Sequence, residues 1–330
     1  MPLFACAKPA ASASISVVSL IMFRPGLVIL TRANSSLGIP AVEHLLQKYP
    51  QYTAILTASI RELDLASLSA THAFADSIVS DIANGHYPLL AAIICNAYYW
   101  NLVGDPELTA DGYDKTFQVS HISHAALVLR LLGKFERNGR IVLLSSDAHW
   151  PGKNPMERYP PSIPVNMDQL VKPSADHDKQ GRGYERYATA KPAMRTWMYS
   201  LNEYLQKEAS LSNMTAVAIN PGNLIDSRAL RSNTPVSLAR MQTFVYKPLF
   251  PILKLFMGPT LRTAVPAGVD VVELALSPTY LGERGFFTLL QKDQSSPESQ
   301  DERKQQSLWT KTLEWARITK DNTALQAAFG

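Results

Sequence analysis

The sequence predicts an α/β protein in which helices pack on both faces of a parallel β-sheet, the doubly wound arrangement. Two observations support this fold class. Short apolar runs, of the kind that form buried parallel strands, alternate with longer segments of helical spacing from residue 26 to residue 220. No repeat or low-complexity linker divides the 330 residues, so we expect a single domain with a large core.

This alternation places candidate strands and helices in order along the chain. The candidate strands are GLVILT (26–31), YTAILT (52–57), SIRELDL (59–65), LLAAIIC (89–95), RIVLLSS (140–146) and MTAVAIN (214–220). The candidate helices cover residues 36–49, 67–83, 112–135 and 184–209.

The join between the second and third candidate strands is too short for this fold. Only Ala58 separates them, whereas a parallel crossover needs about a dozen residues or more. We therefore expect the crossover helix between these strands to be shortened or missing. Either one strand is lost or the two runs form one bent strand, unless the join at residues 57–59 reflects a misassembled reading frame.

Charge and cysteine content narrow the functional classes. The net charge is +4 and no Lys/Arg block is interleaved with aromatic residues, which disfavours nucleic-acid binding. The two cysteines, Cys6 and Cys95, cannot form a disulfide framework. Because Cys95 lies in a strand as a reduced core thiol, a cytoplasmic setting is favoured. No metal site is predicted.

The N-terminus is apolar before the first strand. Residues 12–23, preceded by Lys8, are too short to span a bilayer. We expect residues 1–25 to form an irregular extension, with a signal peptide as the alternative, and no integral membrane span.

The remaining boundaries follow from proline content and hydropathy. The domain is expected over residues 26–290, followed by a C-terminal tail at 291–330. Within it, a proline-rich insert at 147–183 is expected to build one wall of a pocket, and residues 227–262 to form a lid region. The apolar stretch 244–261 either covers a bulky hydrophobic substrate or packs into the core.

Tyr187 and Lys191, in the segment YATAK, are four residues apart on a predicted helix, so their side chains share one face. A Lys ammonium beside a phenol favours the phenolate and lowers a pKa that starts near about 10. Tyr187 then becomes a usable general acid or base. Ser146 ends the preceding strand, at the edge where parallel sheets place their ligand crevice. By itself the Tyr-x-x-x-Lys spacing also occurs by chance on surface helices.

Four segments follow one another along the chain: HISHAALVLRLL, RIVLLSSDAHW, YATAK and INPGNLIDSRAL. Through these segments the chain resembles the short-chain dehydrogenase/reductase family from about residue 26 to about residue 290. The similarity is to the keto-steroid-reductase and retinol-dehydrogenase-like branch in its fungal form. The resemblance implies a Rossmann fold, a nicotinamide cofactor, and hydride exchange with a carbonyl or alcohol. It also implies that Ser146 orients the substrate oxygen, Tyr187 donates a proton, and Lys191 holds the nicotinamide ribose and lowers the Tyr187 pKa.

The resemblance further implies a set of cofactor contacts from the first turn, TRANSSLG, and from later strand ends. Asp64 matches an acid that contacts adenine, and Pro221 with Gly222 matches the loop beside the nicotinamide. The full set is Thr31, Arg32, Asn34, Ser36, Leu37, Gly38, Asp64, Asn96, Lys191, Pro221 and Gly222.

The chain departs from the family pattern mainly on the cofactor side. Arg32 and Ser36 replace two glycines that give a tight turn and a close approach to the pyrophosphate. Tyr98 replaces the glycine of an Asn-Ala-Gly sequence. Asp226 replaces a threonine, where a second anion near phosphate is unfavourable, and Ser120 replaces the asparagine of the catalytic tetrad.

Three consecutive aromatic residues, Tyr98, Tyr99 and Trp100, have two interpretations. They are either substrate-pocket and packing residues beside a slightly shifted cofactor, or they fill space that a cofactor no longer uses. Pro192, directly after Lys191, either kinks the helix or displaces the lysine.

The sequence therefore predicts two functions. The first is an NADP(H)-dependent oxidoreductase acting on a hydrophobic carbonyl or alcohol, in secondary metabolism. NADP is favoured over NAD because no acid ends the second strand to hold a ribose 2′-hydroxyl. The second is a family member without redox chemistry, an isomerase, cyclase or binding protein. The departures predict weak NADPH binding, with NADH weaker still.

Overall fold

The computed structural model describes residues 26–57 and 63–329. Its strands are β1 (Leu27–Thr31), β2 (Thr53–Thr57), β3 (Leu90–Cys95), β4 (Phe135–Leu144), β5 (Thr215–Asn220), β6 (Asn223–Leu224), β7 (Leu261–Arg262), β8 (Gly285–Thr288) and β9 (Gln291–Asp293). Its α-helices are α1 (Gly38–Lys48), α2 (Leu68–Ala83), α3 (Lys115–Phe117), α4 (Ser123–Leu131), α5 (Asp168–Val171), α6 (Lys179–Lys207), α7 (Val236–Met241), α8 (Phe250–Met257), α9 (Ala264–Leu276) and α10 (Glu302–Trp315).

The centre of the molecule is a seven-stranded sheet in the order β2-β1-β3-β4-β5-β8-β9. Its neighbouring strands are parallel except β8 and β9, which are antiparallel. The short strands β6 and β7 form a separate parallel pair. The predicted α/β fold with a doubly wound parallel sheet is confirmed.

Among the described residues, no strand corresponds to the predicted third strand beside β2. In the described residues β2 pairs with β1 alone. The candidate strand SIRELDL does not form over its described part, because residues 63–65 lead directly into α2. Residues 58–62, and the predicted extension at 1–25, lie outside the described residues. Strand β2 ends at Thr57 and α2 begins at Leu68. Because residues 58–62 are not described, the expected shortening or loss of a crossover helix there stays a prediction.

Two separate cores lie on the two faces of the sheet. Successive residues of a strand point to opposite faces, so Leu27 and Ile29 pack under α2, α4 and α6, while Val28 and Leu30 pack under α1 and α9. All four are buried. This double burial explains why the strands read as unbroken apolar runs.

Helix α6 carries most of the candidate site and begins before the predicted start. Asp178 precedes it, and its Oδ1 accepts a hydrogen bond from the Gly181 amide at 2.9 Å. This side-chain cap satisfies an amide that the helix itself leaves without a partner. The helix then runs without interruption through Pro192.

The C-terminal segment, predicted as a tail, contributes to the main core. Helix α10 packs on α6, where Trp309 stacks on Tyr204 with 4.7 Å between ring centroids. Trp315 meets Phe117 edge-on at 5.8 Å. Trp309, Trp315 and Leu325 are all buried.

The predicted lid region forms α7 and α8, joined by a π-helical stretch, Gln242–Tyr246. No residue of α7 or α8 is buried. Helix α8, which lies within the apolar stretch 244–261, therefore does not pack into the core.

No helix among the described residues is both long and apolar enough to cross a membrane. Cys95 is a buried free thiol, as predicted, and burial raises its pKa.

Candidate active site

Ser146, Tyr187 and Lys191 meet at the carboxyl end of β4. Ser146 follows β4, and its Oγ accepts a hydrogen bond from the Ala148 amide at 3.2 Å. Tyr187, on α6, is hydrogen-bonded to the Ser146 side chain. Lys191 lies one turn further along α6, with its Nζ 5.0 Å from the centre of the Tyr187 ring. The structure thus brings the three predicted catalytic residues together.

Lys191 is buried in a setting that favours its neutral amine. Its Nζ donates a hydrogen bond to the Leu144 carbonyl at 3.0 Å. Burial lowers the pKa of Lys191 to about 7, with the nearby Arg195 guanidinium as the second cause. Pro192 does not move Lys191 off the face it shares with Tyr187.

The pKa of Tyr187 shifts in the direction opposite to the one expected from its lysine neighbour. Burial raises this pKa above the ordinary 10.0, and Tyr98 and Asp147 raise it further, against the Ser146 hydrogen bond and the Arg32 charge. The expectation failed because the phenol lies among aromatic rings and because a lysine with a low pKa contributes little positive charge. Tyr187 is therefore protonated at neutral pH.

Two of the three consecutive aromatic residues flank Tyr187. The ring centroids of Tyr98 and Trp100 lie 5.5 and 5.2 Å from that of Tyr187. Tyr184 packs on the same ring at 6.1 Å. We call this group the aromatic cluster, and it also includes Leu102, Ala148, Met156, Ala188, Ala229, Leu230 and Leu238.

Tyr99 is directed elsewhere. Its hydroxyl donates a hydrogen bond to Glu107 Oε1 at 2.6 Å, and Lys115 Nζ lies 4.5 Å from its ring centre. Tyr98, in contrast, lies 4.6 Å from the Arg32 guanidinium carbon and 5.7 Å from Lys191 Nζ. Tyr98 is thus the residue that joins the catalytic group to the first turn.

The turn between β1 and α1 keeps a glycine-like backbone at a residue that is not glycine. Arg32 has a φ of +53°, in the left-handed region that costs a side-chain-bearing residue about 1–2 kcal/mol. Its Nη1 donates to the Tyr98 carbonyl at 2.8 Å. Gly38 is still required, because a Cβ there would lie 2.5 Å from the Ala33 carbonyl oxygen. The backbone therefore keeps the tight turn, although Arg32 replaces its first glycine.

Thr31 and Asn96 hold this turn from within the sheet. Thr31 Oγ1 accepts from the amides of Asn96 and Ala97, each at 2.9 Å. Asn96 Nδ2 donates to the carbonyls of Thr31 and Arg32 at 3.0 and 3.1 Å. These two predicted cofactor residues therefore fix the shape of the turn.

A segment after β6, residues 228–233, lies across the turn, and we call it the strap. The Arg228 amide donates to Ser36 Oγ at 2.9 Å, and the Arg228 guanidinium donates to the Asn34 carbonyl. The strap thus engages two of the predicted cofactor residues.

The space that remains between strap and turn is small. At the far end of the strap, Asn233 Nδ2 donates to the Trp100 carbonyl at 3.3 Å. A cavity of about 50 Å³ is left, lined by Arg32, Tyr98, Tyr99, Trp100, Arg228, Ala229, Ser232 and Asn233. Ligand pockets typically measure about 300–1,000 Å³. In this conformation the side chains leave no room here for a dinucleotide.

The other predicted cofactor residues have structural contacts. Asp64 is exposed, and its Oδ1 accepts from the Ala66 amide at 2.9 Å ahead of α2. Leu37 is buried in the core under α1 and α9. Pro221 and Gly222 follow β5 at the same sheet edge as the catalytic group, and Gly222 has a φ of +88° that favours glycine.

Asp226 has a role that differs from the one the sequence suggested. Its Oδ1 accepts a hydrogen bond from the amide of Ala264, the first residue of α9, at 2.9 Å. A carboxylate is favourable at a helix N-terminus. The sequence assigned Asp226 to the phosphate side, whereas the structure assigns it to the cap of α9.

Sequence reasoning missed Asp147. Its Oδ1 accepts from the Ser146 hydroxyl at 3.0 Å, and its Oδ2 accepts from Asn223 Nδ2 at 2.8 Å. It therefore orients Ser146 and ties it to the loop after β5. The available signal was its position directly after Ser146.

His124 was also missed. It contacts Thr31 Oγ1 through Nε2 at 3.0 Å and the Ser120 carbonyl through Nδ1 at 3.4 Å. Burial lowers the pKa of His124 to about 4, so it is neutral. Ser120 itself lies on a π-helical turn, Gln118–Ile122, and its buried Oγ has no hydrogen-bond partner among the described residues.

Comparison with known proteins gives a family model and relatives that carry the name dehydrogenase. A family model described as the AcuH dehydrogenase domain matches residues 228–325. Short-chain dehydrogenase iccH of Talaromyces variabilis is 29% identical over 367 residues, covering 93% of this chain and 100% of that protein. Dehydrogenase acuH of Aspergillus aculeatus is 50% identical over 93 residues, covering 28% of this chain and 94% of that protein.

The fold has solved counterparts. The structure of angucycline C-6 ketoreductase LanV with bound NADP aligns with a TM-score of 0.52 at 14% identity, covering 80% of this chain and 93% of that one. At this identity the likeness concerns the fold.

The doubly wound sheet, with a serine, a tyrosine and a lysine at the carboxyl ends of its strands, defines a Rossmann-like protein of the dehydrogenase class. The two relatives, iccH aligned over its full length and acuH at 50% identity, specify the family. The chain belongs to the short-chain dehydrogenase/reductase family, a family of oxidoreductase enzymes, as the sequence motifs indicated.

Proposed function

We propose that this protein exchanges a hydride between NADP(H) and a hydrophobic ketone or alcohol, with Ser146, Tyr187 and Lys191 as its active residues. The observation that carries the proposal is the hydrogen bond between Ser146 and Tyr187, with Lys191 Nζ 5.0 Å from the tyrosine ring. Two hydroxyl groups that touch each other can both bind one substrate oxygen.

In the direction of reduction, the Ser146 hydroxyl turns its hydrogen from Asp147 Oδ1 to the carbonyl oxygen, and the Tyr187 hydroxyl donates to the same oxygen. When bound, the nicotinamide supplies the hydride to the carbonyl carbon. Tyr187 gives its proton to the oxygen, so that an alcohol and a phenolate result. The raised pKa of Tyr187 keeps that proton in place at neutral pH until the substrate takes it. The ammonium form of Lys191, populated below a pKa of about 7, stabilises the phenolate.

A hydrophobic substrate is favoured by the walls around Tyr187. The aromatic cluster contributes rings from Tyr98, Trp100 and Tyr184, and aliphatic groups from Leu230 and Leu238. Such a lining gains free energy by removing apolar surface from water. We place the substrate among polyketide-like or terpenoid-like compounds of secondary metabolism.

The backbone of the first turn suits dinucleotide binding, whereas the side chains around it obstruct a dinucleotide. The left-handed Arg32 and the retained Gly38 bring the N-terminus of α1 to the turn, and a helix N-terminus attracts phosphate. Arg228 and Tyr98 fill the room above it. The strap must leave Ser36 and Asn34 before a dinucleotide enters, and breaking those hydrogen bonds weakens binding.

The same residues favour NADP over NAD. Arg32 and Arg228 both line the residual cavity, and a guanidinium group binds phosphate through paired hydrogen bonds. Strand β2 ends at Thr57 without an acid to hold a ribose 2′-hydroxyl.

Titration of the purified protein with NADPH and with NADH, followed by nicotinamide fluorescence, tests the proposal. We expect an NADPH dissociation constant of about 0.1–1 mM and weaker binding of NADH. Micromolar or tighter binding would show that the strap and Tyr98 reduce the free energy of NADPH binding only slightly. Absence of NADPH binding at millimolar concentration would exclude the redox function.

One observation favours a second candidate, a family member without redox chemistry. The cavity above the turn is about 50 Å³, while the catalytic group beside it is complete. An isomerase or cyclase uses Tyr187 as acid and base without a dinucleotide. Turnover that is independent of NADPH yet abolished by Tyr187→Phe would identify this candidate.

A further inference from the structure

The surface around α7 and α8 is unusually apolar for a region exposed to solvent. Of the seventeen large apolar side chains that are exposed in the described residues, eight fall in residues 236–257. We call them the apolar platform, and they are Val236, Phe244, Val245, Leu249, Ile252, Leu255, Phe256 and Met257.

All eight platform side chains are exposed, and three of them are mostly in contact with water. Leu255 and Phe256 are each 83% exposed, and Phe244 is 75% exposed. Exposed apolar side chains scattered singly need no explanation, whereas a contiguous patch on a monomer marks a surface that something else covers. Because α8 buries none of its residues, the rest of the described chain does not cover this helix.

The charge pattern of the same region identifies what covers it. Residues 227–269 contain no Asp or Glu but include six basic residues: Arg228, Arg231, Arg240, Lys247, Lys254 and Arg262. Among the described residues only Arg262 of these six forms an ion pair, with Asp270 at 2.6 Å. Arg228 is bound at the first turn. The other four, Arg231, Arg240, Lys247 and Lys254, leave an uncompensated positive charge in the segment that carries the platform.

We propose that the apolar platform docks this protein on an anionic lipid membrane surface, with α8 lying in the plane of the interface. Apolar side chains flanked by Lys and Arg are the composition of interfacial helices, which bury the former at the acyl boundary and hold the latter at anionic headgroups. Because residues 227–269 contain no Asp or Glu, their basic side chains are attracted to a negatively charged leaflet. A neutral leaflet provides no such electrostatic attraction.

The platform continues directly into the candidate site. Leu230 and Leu238 pack against the aromatic cluster that surrounds Tyr187, and Val236 and Phe244 lie on the exposed side of the same segment. A hydrophobic compound dissolved in the bilayer thus has a short path to the site. That consequence rests on the proposed function, whereas membrane docking itself does not.

Vesicle flotation with the full-length protein tests the docking without any measurement of turnover. The probes are vesicles of phosphatidylcholine alone and vesicles that contain phosphatidylserine, each at low and high salt. The test variants are Leu255→Ser with Phe256→Ser, and Lys247→Gln with Lys254→Gln. The matched control is Val165→Ser, since Val165 is 97% exposed in the insert, outside the platform.

We expect the wild type and the control to float with phosphatidylserine vesicles. The apolar double variant should lose at least about tenfold in partitioning, and the lysine variant should lose binding mainly at low salt. The extension at residues 1–25 is present in every protein compared, so it cannot account for a difference between them.

Three results would overturn the proposal: no flotation of the wild type, equal flotation of the Leu255/Phe256 variant, or equal binding to neutral and anionic vesicles. Sedimentation of the same proteins tests the competing explanation, that a second copy of this chain covers the platform. A wild-type dimer that the Leu255/Phe256 variant converts to a monomer, without vesicle binding by the wild type, would assign the platform to self-association instead.

Discussion

The catalytic corner and the first turn lie at the same edge of the sheet but have diverged in opposite ways. At the corner, Ser146, Tyr187 and Lys191 are together, with Asp147 holding the serine. At the turn, the backbone is preserved while Arg228 from the strap occupies the space above Ser36 and Asn34. One region brings together the three groups that the proposed reaction uses, and the other is filled by its own side chains.

This difference shows that the two halves of a dehydrogenase site are separable. The catalytic group depends on spacing within α6 and on one strand end, and it needs no ligand to form. The cofactor cleft depends on small residues that leave room, and such room disappears once larger side chains find partners across it. Tyr98 connects the two regions, because it contacts Tyr187 on one side and Arg32 on the other.

The strongest test of the catalytic corner is Tyr187→Phe. Loss of the proton donor should lower turnover by about 10²–10⁴-fold, measured with a hydrophobic ketone and saturating NADPH. The fold should survive, since the ring and its packing remain. Tyr204→Phe, on the same helix but directed to Gln306, is the control and should retain full activity. A Tyr187→Phe enzyme with most of its turnover would remove the tyrosine from the mechanism.

The first turn is tested by Tyr98→Gly, which restores the small residue of the family pattern. Removing the ring opens room beside Lys191 and releases the Arg32 stacking, so NADPH affinity should rise about tenfold, or about 1.4 kcal/mol. Fluorescence titration measures the change. Tyr99→Phe is the control, because its ring is directed toward Glu107 and Lys115. Unchanged affinity in Tyr98→Gly would show that Tyr98 does not close the cleft.

Lys191 gives a prediction in which stability and activity move in opposite directions. Its folded-state pKa of about 7 is below the ordinary 10.5, so the unfolded chain binds the proton more tightly. The buried amine therefore destabilises the fold fully below about pH 7, and this destabilisation shrinks as the pH rises toward 10.5.

Lys191→Met should accordingly stabilise the protein at pH 7 by about 1–2 kcal/mol, since an apolar residue replaces a buried charge, while turnover is lost. Urea unfolding at pH 7 and pH 10 measures both the gain and its decline. The Leu144 carbonyl loses its donor in the variant, which keeps the gain small. A variant less stable than the wild type at pH 7 contradicts the prediction.

The smallest effect concerns Asp226, which faces α9 instead of the cofactor side. Asp226→Ala removes the acceptor for the Ala264 amide and should cost about 0.5–1 kcal/mol in the free energy of unfolding. Asp226→Asn keeps an acceptor oxygen and should cost less. NADPH affinity should be the same in both variants, and a marked rise in affinity in Asp226→Asn would return the residue to the phosphate side.

The proximity of Ser146, Tyr187 and Lys191 could be predicted because its signals are local. Tyr187 and Lys191 are one helical turn apart, and Ser146 ends an apolar strand. The shortened crossover was inferred from a chain length, and it stays a prediction because residues 58–62 are not described. The strap could not be predicted, because Arg228 and Ser36 are 192 positions apart and no spacing rule joins them.

The direction of the Tyr187 pKa shift was missed for a similar reason. Neighbours along the helix predicted a lowered value, but the rings that bury the phenol belong to Tyr98, Trp100 and Tyr184. Burial is a property of the assembled structure, and it outweighed the charge of Lys191 once that lysine was itself desolvated.

The packing of α10 determines when the molecule can complete its folding during synthesis. Trp309, Trp315 and Leu325 belong to the same core as Leu27, so that core stays open until residue 325 has left the ribosome. At about 5–20 residues per second, this interval lasts about 15–60 s. Once α6 (Lys179–Lys207) has been made, the apolar face that receives Trp309 has no native cover until that residue emerges. Completion of this core is thus a late event in synthesis.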